Sequence, residues 1–233
     1  MLQPQIRQKP IRSFAIRAGR LTAGQKSALD HGWASIGLDL DAGQGAFESA
    51  FEGGAPRILE IGYGMGQSLL TMAKAEPESN FVGIEVHSPG VGSLIHGAFD
   101  LDTGAARLTN LKTYMADAVD VLREAVPENS LSRVQVYFPD PWHKTKHRKR
   151  RLIQPELVRL ISSRLKIEGV LHLATDWKPY AKHMLKVLSQ EPSLVNSVDG
   201  YAVRPDWRPT TKFERRGEGL GHQVHDLVFV RQS

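Results

Sequence analysis

The 233-residue chain contains no cysteine. Disulfides, thiolate nucleophiles and cysteine metal sites are thereby excluded, and the absence agrees with a reducing compartment. No run approaches the roughly 18 apolar residues that a membrane-spanning helix needs. The opening Met-Leu-Gln-Pro-Gln-Ile-Arg has no long apolar stretch behind it and does not read as a secretory signal, so a cytoplasmic location is the expectation. Acid is scarce at the start as well. The first carboxylate is Asp30, preceded by Arg7, Lys9, Arg12, Arg17, Arg20 and Lys26, with Pro4 and Pro10 interrupting regular structure. This stretch reads as a mobile basic arm, and residues 41–54, rich in Gly, Ala and Glu, read as a lead-in loop. No repeat period or long low-complexity tract is present.

What is there suffices for one well-buried domain: 41% of the residues are hydrophobic, ordinary for a globular chain of this length. The division expected is an arm and lead-in over residues 1–54 and a single domain over 55–233. The formal net charge of +5 leaves a polyanion partner and an ordinary basic protein equally open.

From Arg57 onward, apolar runs of strand length alternate with segments of helical spacing. Strands are expected at residues 57–61, 81–86, 111–115, 134–138 and 169–175, with a late strand at 224–230. Helices are expected at 67–75, from Pro89 toward Phe99, at 118–126 ending before Pro127, at 155–165 and at 180–188. Regular alternation predicts an α/β fold with a mostly parallel sheet covered by helices on both faces. Right-handed crossovers then gather the loops after the strands at one edge, where such sheets bind ligands.

Three clusters fall at that edge. Glu60-Ile61-Gly62-Tyr63-Gly64-Met65-Gly66 lies between the first strand and the first helix. Glycine there allows positive φ and close approach of a ligand to the backbone. A dinucleotide fingerprint would need a further glycine at Gln67. Glu85 ends the second strand, where a carboxylate can accept from two ribose hydroxyls, a geometry that serves NAD and S-adenosylmethionine alike. Asp117 follows the third strand and can receive the amine of adenine or cap a helix. Glu60 would repel a pyrophosphate and attract a sulfonium and an ammonium, which favours S-adenosylmethionine.

The fourth strand runs into Tyr137-Phe138-Pro139-Asp140-Pro141-Trp142. Two prolines fix the backbone around a carboxylate, and Trp142 adds a flat apolar face, the parts of a pocket for a planar base. Residues 143–151, His-Lys-Thr-Lys-His-Arg-Lys-Arg-Arg, contain Lys144, Lys146, Arg148, Lys149, Arg150 and Arg151 and no acid. Their repulsion argues against a structural element unless a polyanion lies against the run. The fifth strand ends in Thr175-Asp176-Trp177, and near the C-terminus stands Arg208-Pro209-Thr210-Thr211-Lys212-Phe213-Glu214. Asp176 and Glu214 can accept from guanine N1–H and N2–H₂, and Lys144 or Lys212 can donate to O6; a salt-bridged surface loop explains the same residues. His143, His147, His222 and His225 are irregularly spaced among cations, so no metal is expected.

Taken together, Glu60–Gly66, Gly83-Ile84-Glu85-Val86-His87, Pro89-Gly90-Val91-Gly92, Phe138-Pro139-Asp140-Pro141-Trp142-His143-Lys144, Thr175-Asp176-Trp177 and Thr211-Lys212-Phe213-Glu214 resemble the bacterial transfer RNA (guanine-N7-)-methyltransferases, which modify guanine 46 of the variable loop. The resemblance runs from about Arg57 to Arg231. It implies a Rossmann-like class I methyltransferase fold whose late strand is antiparallel, S-adenosylmethionine as cofactor, and transfer RNA as partner of a monomer or weak homodimer. It implies cofactor contacts at Glu60, Gly62, Gly64, Gly66, Glu85, Asp117 and Asp140, with Asp140 catalytic. Target-side contacts follow at Lys144, Asp176, Thr211, Lys212, Phe213 and Glu214. RNA contacts follow at Lys146, His147, Arg148, Lys149, Arg150 and Arg151. The sequence departs from the family at Tyr63, where phenylalanine is commoner, and at residues 101–105, which read as an insertion. Methylation of another RNA base, and an RNA-binding protein with a relic cofactor fold, remain the alternatives.

Overall fold

The computed structural model describes residues 19–210, 214 and 223–232; Thr211, Lys212, Phe213 and His222 lie outside them. The chain first forms α1 (Ala23–Ile36), within the stretch whose charge and prolines read as a mobile arm. The cause is a capping box: the Thr22 hydroxyl accepts from Gln25 N at 3.2 Å, and the Gln25 side chain accepts from Thr22 N at 2.9 Å. Ala28, Gly32 and Ile36 are the buried positions of α1. Gly32 is tight: a Cβ there would stand 2.5 Å from Ile95. The lead-in is likewise structured. A 3-10 turn at Leu40–Ala42 and α2 (Gly43–Ser49) follow, and Phe47 of α2 is fully buried in the core. Burying a ring of that size stabilises by about 2 kcal/mol, which composition could not signal.

The alternation then proceeds as β1 (Arg57–Ile61), α3 (Gln67–Ala75), β2 (Asn80–Ile84), α4 (Ser88–Ala98), β3 (Phe99–Asp100), β4 (Ala105–Ala106), β5 (Leu111–Tyr114), α5 (Ala118–Glu124), β6 (Leu131–Tyr137), α6 (Pro155–Arg164), β7 (Leu165–Thr175), α7 (Lys178–Leu188), β8 (Leu194–Asn196) and β9 (His225–Arg231). Seven strands form one sheet in the order β5-β2-β1-β6-β7-β9-β8. All neighbours from β5 to β7 are parallel, and β9 runs antiparallel to both β7 and β8. β3 and β4 form a separate antiparallel pair across residues 101–104, within the stretch 101–105 that reads as an insertion. β7 begins four residues before the expected start, because Glu168 at φ 63° and a register shift opposite residues 131–133 interrupt its apolar pattern.

Both faces are covered. Val121, Leu157, Ile161, Met184 and Leu188 from α5, α6 and α7 pack on one. Leu69, Met72, Leu94, Ile95 and Ala28 from α3, α4 and α1 pack on the other. Strand order reverses between β1 and β6, so the loops after β1, β2, β5 and β6 converge at the carboxyl edge. Gly83, inside the fully buried β2, leaves room for the ring of Tyr63: a Cβ there would meet the ring at 2.5 Å and Leu69 at 2.7 Å. The Tyr63 hydroxyl lies 2.7 Å from Thr113 Oγ1, so the phenol that replaces the family's commoner phenylalanine has a buried partner. Gly83→Ala is expected to destabilise the fold by about 1–3 kcal/mol, read as a lowered urea midpoint with unchanged m.

Candidate active site

β1 delivers the chain into the turn at residues 62–66. Gly62, Gly64 and Gly66 have φ of 73°, 60° and 80°, a region where a side chain is strained. The glycines divide their tasks. A Cβ on Gly62 or Gly64 would meet nothing within 4 Å, so open space lies beside the turn; on Gly66 it would strike Leu94 at 2.7 Å. Gly90 of α4 comes so near that a Cβ would lie 2.3 Å from the Gly64 carbonyl oxygen.

Glu85, just after β2, holds this turn. Gly64 N donates to its Oε2 at 3.0 Å, and Val86 N and His87 N donate to Oε1 at 2.7 and 3.0 Å. A carboxylate offers about four acceptor sites, and these backbone donors take three of them. Asp117 caps α5 by accepting from Val119 N at 2.9 Å and faces the same opening.

That opening is a cleft of about 240 Å³ whose walls include Gly62, Glu85, His87, Asp117, Phe138 and Asp140. Four of the expected cofactor residues, Gly62, Glu85, Asp117 and Asp140, thus meet in one place. Gly64 and Gly66 shape the turn behind it. Glu60 does not line it. Strand alternation turns Glu60 to the α3 side of the sheet, where its buried carboxyl accepts from Gln135 Nε2 at 3.1 Å. Burial pushes that carboxyl up from 4.5 to about 7, against the lowering influence of Gln135 and Arg133.

The loop after β6 carries Asp140, exposed at the cleft mouth. It is bracketed by two non-glycine residues with positive φ, Phe138 at 51° and Trp142 at 44°, each costing on the order of 1 kcal/mol or more. Several contacts hold it in that shape. Phe138 N donates to Ala174 O at 2.8 Å, Arg151 Nε donates to Pro141 O at 2.9 Å, and the Arg150 guanidinium lies 4.5 Å from the Trp142 ring. Arg151, expected on the RNA side, is buried instead, with its guanidinium over Tyr180 at 4.7 Å.

The basic run itself forms a 3-10 helix, Thr145–Arg150, although its charge argued against regular structure. His147 N donates to Lys144 O and Arg151 N to Arg148 O, and Gln154 Nε2 also donates to Arg148 O. Lys144, Lys146, Arg148 and Lys149 are exposed, whereas His147 and Arg150 are half-buried near Trp142. On the neighbouring edge Asp176 is exposed, and Trp177 beside it packs edge-on against His143 at 4.4 Å. The Asp-Trp and Pro-Trp-His motifs therefore meet.

Glu214 is placed differently from the expectation. It is buried, and Arg208 NH1 and NH2 donate to its two oxygens at 2.6 and 2.8 Å. The same guanidinium donates through Nε and NH2 to Asp226 at 2.7 and 3.0 Å. Asp226 also meets His172 Nε2 at 2.7 Å, and the Trp207 indole donates to His172 Nδ1 at 3.1 Å. An indole N–H only donates, so Nδ1 is the acceptor and Nε2 carries the proton toward Asp226. Burial pulls His172 below its ordinary value despite that carboxylate. Burial alone would raise Asp226, but hydrogen bonds from His172 and Arg208 outweigh it and hold the carboxyl low. The Tyr137 hydroxyl, 3.0 Å from Nδ1, donates to Gln135 Oε1 at 3.1 Å, and Gln135 reaches Glu60. A buried polar chain thus crosses the sheet from β1 to the C-terminal segment. The sequence reading missed Arg208, Asp226, His172, Tyr137 and Gln135 as a group. Its one signal was polar residues set in otherwise apolar strands, which require buried partners.

A seven-stranded sheet with one antiparallel late strand and a glycine-turn cleft defines the class I methyltransferase fold. A family model described as "Putative methyltransferase" matches residues 54–227. The tRNA (guanine-N(7)-)-methyltransferase of Saccharophagus degradans is 52% identical over 99% of this chain and 99% of its own length. That of Alcanivorax borkumensis is also 52% identical, over 97% and 93%. Among solved structures the 16S rRNA methyltransferase KamB superposes with a TM-score of 0.59 at 16% identity, covering 81% of this chain and 94% of that one. The chain belongs to the tRNA (guanine-N(7)-)-methyltransferase family. Among the described residues, no helix is long and apolar enough to cross a membrane and no group of His, Asp and Glu is disposed to hold a metal ion.

Two outcomes follow from the buried groups. Glu60 has a folded-state value above its unfolded one, so the neutral acid stabilises the fold below about pH 4.5 and that contribution is lost as pH rises through about 7. Glu60→Gln should flatten the stability–pH curve across that window and raise the urea midpoint above it, measured without cofactor. Arg208→Met strands two buried carboxylates and should cost about 3–5 kcal/mol, seen as a large fall in the same midpoint.

Proposed function

We infer that this protein transfers the methyl group of S-adenosylmethionine to N7 of guanine 46 in transfer RNA, in the cytoplasm where that substrate resides. The observation that carries the reading is Asp140: a carboxylate on a strained, proline-flanked loop that both lines the cleft and adjoins the cationic turn at residues 145–150. The names of the relatives at 52% identity support the choice of base and RNA.

The residues fit the cofactor. Open space lies beside the turn at Gly62 and Gly64, Glu85 keeps one acceptor site, and Asp117 presents a carboxylate to the same cleft, which supports contacts to a ribose and an exocyclic amine. The cleft is itself acidic, which disfavours a pyrophosphate. Glu60 faces away, but Glu85, Asp117 and Asp140 line the cleft. When bound, the cofactor supplies an electrophilic methyl group on a sulfonium.

Guanine N7 carries an in-plane lone pair and no proton, so this chain needs no general base. Its task is to hold N7 in line with the methyl at near-attack distance. Trp142 follows Asp140 by two residues, Trp177 packs edge-on against His143, and Asp176 and Lys144 are exposed next to those rings in sequence. As methylation proceeds, positive charge moves onto the purine, and the fixed Asp140 carboxylate stabilises it there. Lys144, Lys146, Arg148 and Lys149 draw in the phosphates and orient the RNA without reading its sequence.

Asp140→Asn keeps the shape and removes the charge. Turnover on unmodified transfer RNA should fall about 100-fold or more, while calorimetric cofactor affinity stays within a few-fold. Undiminished turnover, with methylation mapped to the same guanine, would remove Asp140 from the mechanism.

A further inference from the structure

We propose that the outer face of α7 is a second phosphate-docking surface, which grips a double-helical stem of the transfer RNA beyond the loop that offers the target base. The inference rests on the function argued above. Lys178, Lys182 and Lys186 follow one another at four-residue spacing and are all exposed, while Tyr180, Ala181, Met184, Val187 and Leu188 are buried. The three cations therefore form one row, about 12 Å long at 1.5 Å per residue. No acid lies within α7, and no salt bridge to these lysines occurs among the described residues.

Folding alone does not favour this arrangement. Like charges four apart on a helix repel by a few tenths of a kcal/mol per pair, and Lys178 sits in the first turn, against the positive end of the helix dipole. A polyanion on the row offsets both costs. The row also continues the cationic turn. The Tyr180 hydroxyl lies 3.3 Å from Ile153 N, His183 Nε2 lies 2.9 Å from Ile153 O, and Arg151 covers the Tyr180 ring. These contacts clamp α7 against the segment that leaves the basic turn, and His183 lies within the electrostatic reach of Arg148, Arg151 and Lys186. The nearest acids in sequence are Asp176, at the target side, and Glu191, which accepts from Ser193 Oγ at 2.8 Å.

The chemistry of the row selects a stem. Single-stranded RNA is held by aromatic platforms on which bases stack. α7 offers none on its outer face: Tyr180 is buried and His183 is half-buried against Ile153. Lysines without aromatics between them bind as point charges and read backbone, and an A-form stem presents shape and phosphate rather than accessible base edges.

The test compares wild type with the triple variant Lys178→Gln, Lys182→Gln and Lys186→Gln, titrated with unmodified transfer RNA over a range of salt. A single-stranded oligoribonucleotide with the variable-loop sequence is titrated in parallel. Each lost phosphate contact lowers the log–log salt slope by about 0.7–0.9, so the triple variant should lose about 2 to 3 in slope on transfer RNA and nothing on the oligonucleotide. Its urea midpoint and cofactor affinity should match wild type, and the triple Lys→Arg variant should restore the slope. If wild type binds and methylates while the triple variant keeps the full slope, this inference fails alone. An equal loss on folded and single-stranded RNA overturns the assignment to a stem. Wild type that never binds transfer RNA removes the functional reading as well.

Discussion

The site depends on one carboxylate held by three backbone N–H groups. Glu85 ties the turn after β1 to the turn after β2 through Gly64, Val86 and His87. Hydrogen bonds to an ionised acceptor are about twice as strong as neutral ones, and these fix backbone that glycine would otherwise leave free. The close passage of Gly90 over the Gly64 carbonyl seals the arrangement from the α4 side. The cleft is therefore organised by the protein's own donors, and a ligand meets a turn already set.

The second constraint lies behind the cleft. Seven polar side chains, from Glu60 through Gln135, Tyr137, His172, Asp226 and Arg208 to Glu214, form a continuous path in the core. Buried ion pairs gain little over an apolar core, but breaking one is costly. Their effect here is to specify one position for the chain at residue 214, which then lies beside β7 and β9 rather than in solution. Of the motif at 211–214, the carboxylate of Glu214 is the anchor, held by Arg208, whereas Asp176 stays exposed.

Much of this was legible from residue patterns where period and turn chemistry agree. The strands at 57–61 and 111–115 and the helices at 67–75 and 155–165 lie within a residue of their observed bounds, because period, glycine and proline all point the same way there. The misses have specific causes. α1 was hidden by its charge and weak amphipathicity; its capping box, Thr22 to Gln25, was the overlooked mark. β8 is only three residues long and exists because β9 offers it an edge. Burial of Arg151 and Glu214 is invisible to composition, since a cation in a basic run and an acid in a polar motif both read as solvated until their tertiary partners, Pro141 and Arg208, are placed. Glu60 shows the converse limit: strand position tells that a residue ends β1, but only the sheet's faces tell which way it points.

Charge of both signs is sorted over a short distance at the carboxyl edge. Glu85, Asp117 and Asp140 line the cleft, and Asp176 stands exposed beside it. Lys144, Lys146, Arg148 and Lys149 are exposed on the segment that follows Asp140, and the lysines of α7 are exposed as well. Exposed charges act over about a Debye length, near 8 Å at physiological salt, so these cations project a positive potential toward solvent. Within the cleft the charged side chains are instead the carboxylates of Glu85, Asp117 and Asp140. A net charge of +5 is thus compatible with a carboxylate-lined cleft, provided the two regions are held apart by rigid backbone. The positive-φ residues at 138 and 142 and the two prolines between them are what keep Asp140 on the inner side of that boundary.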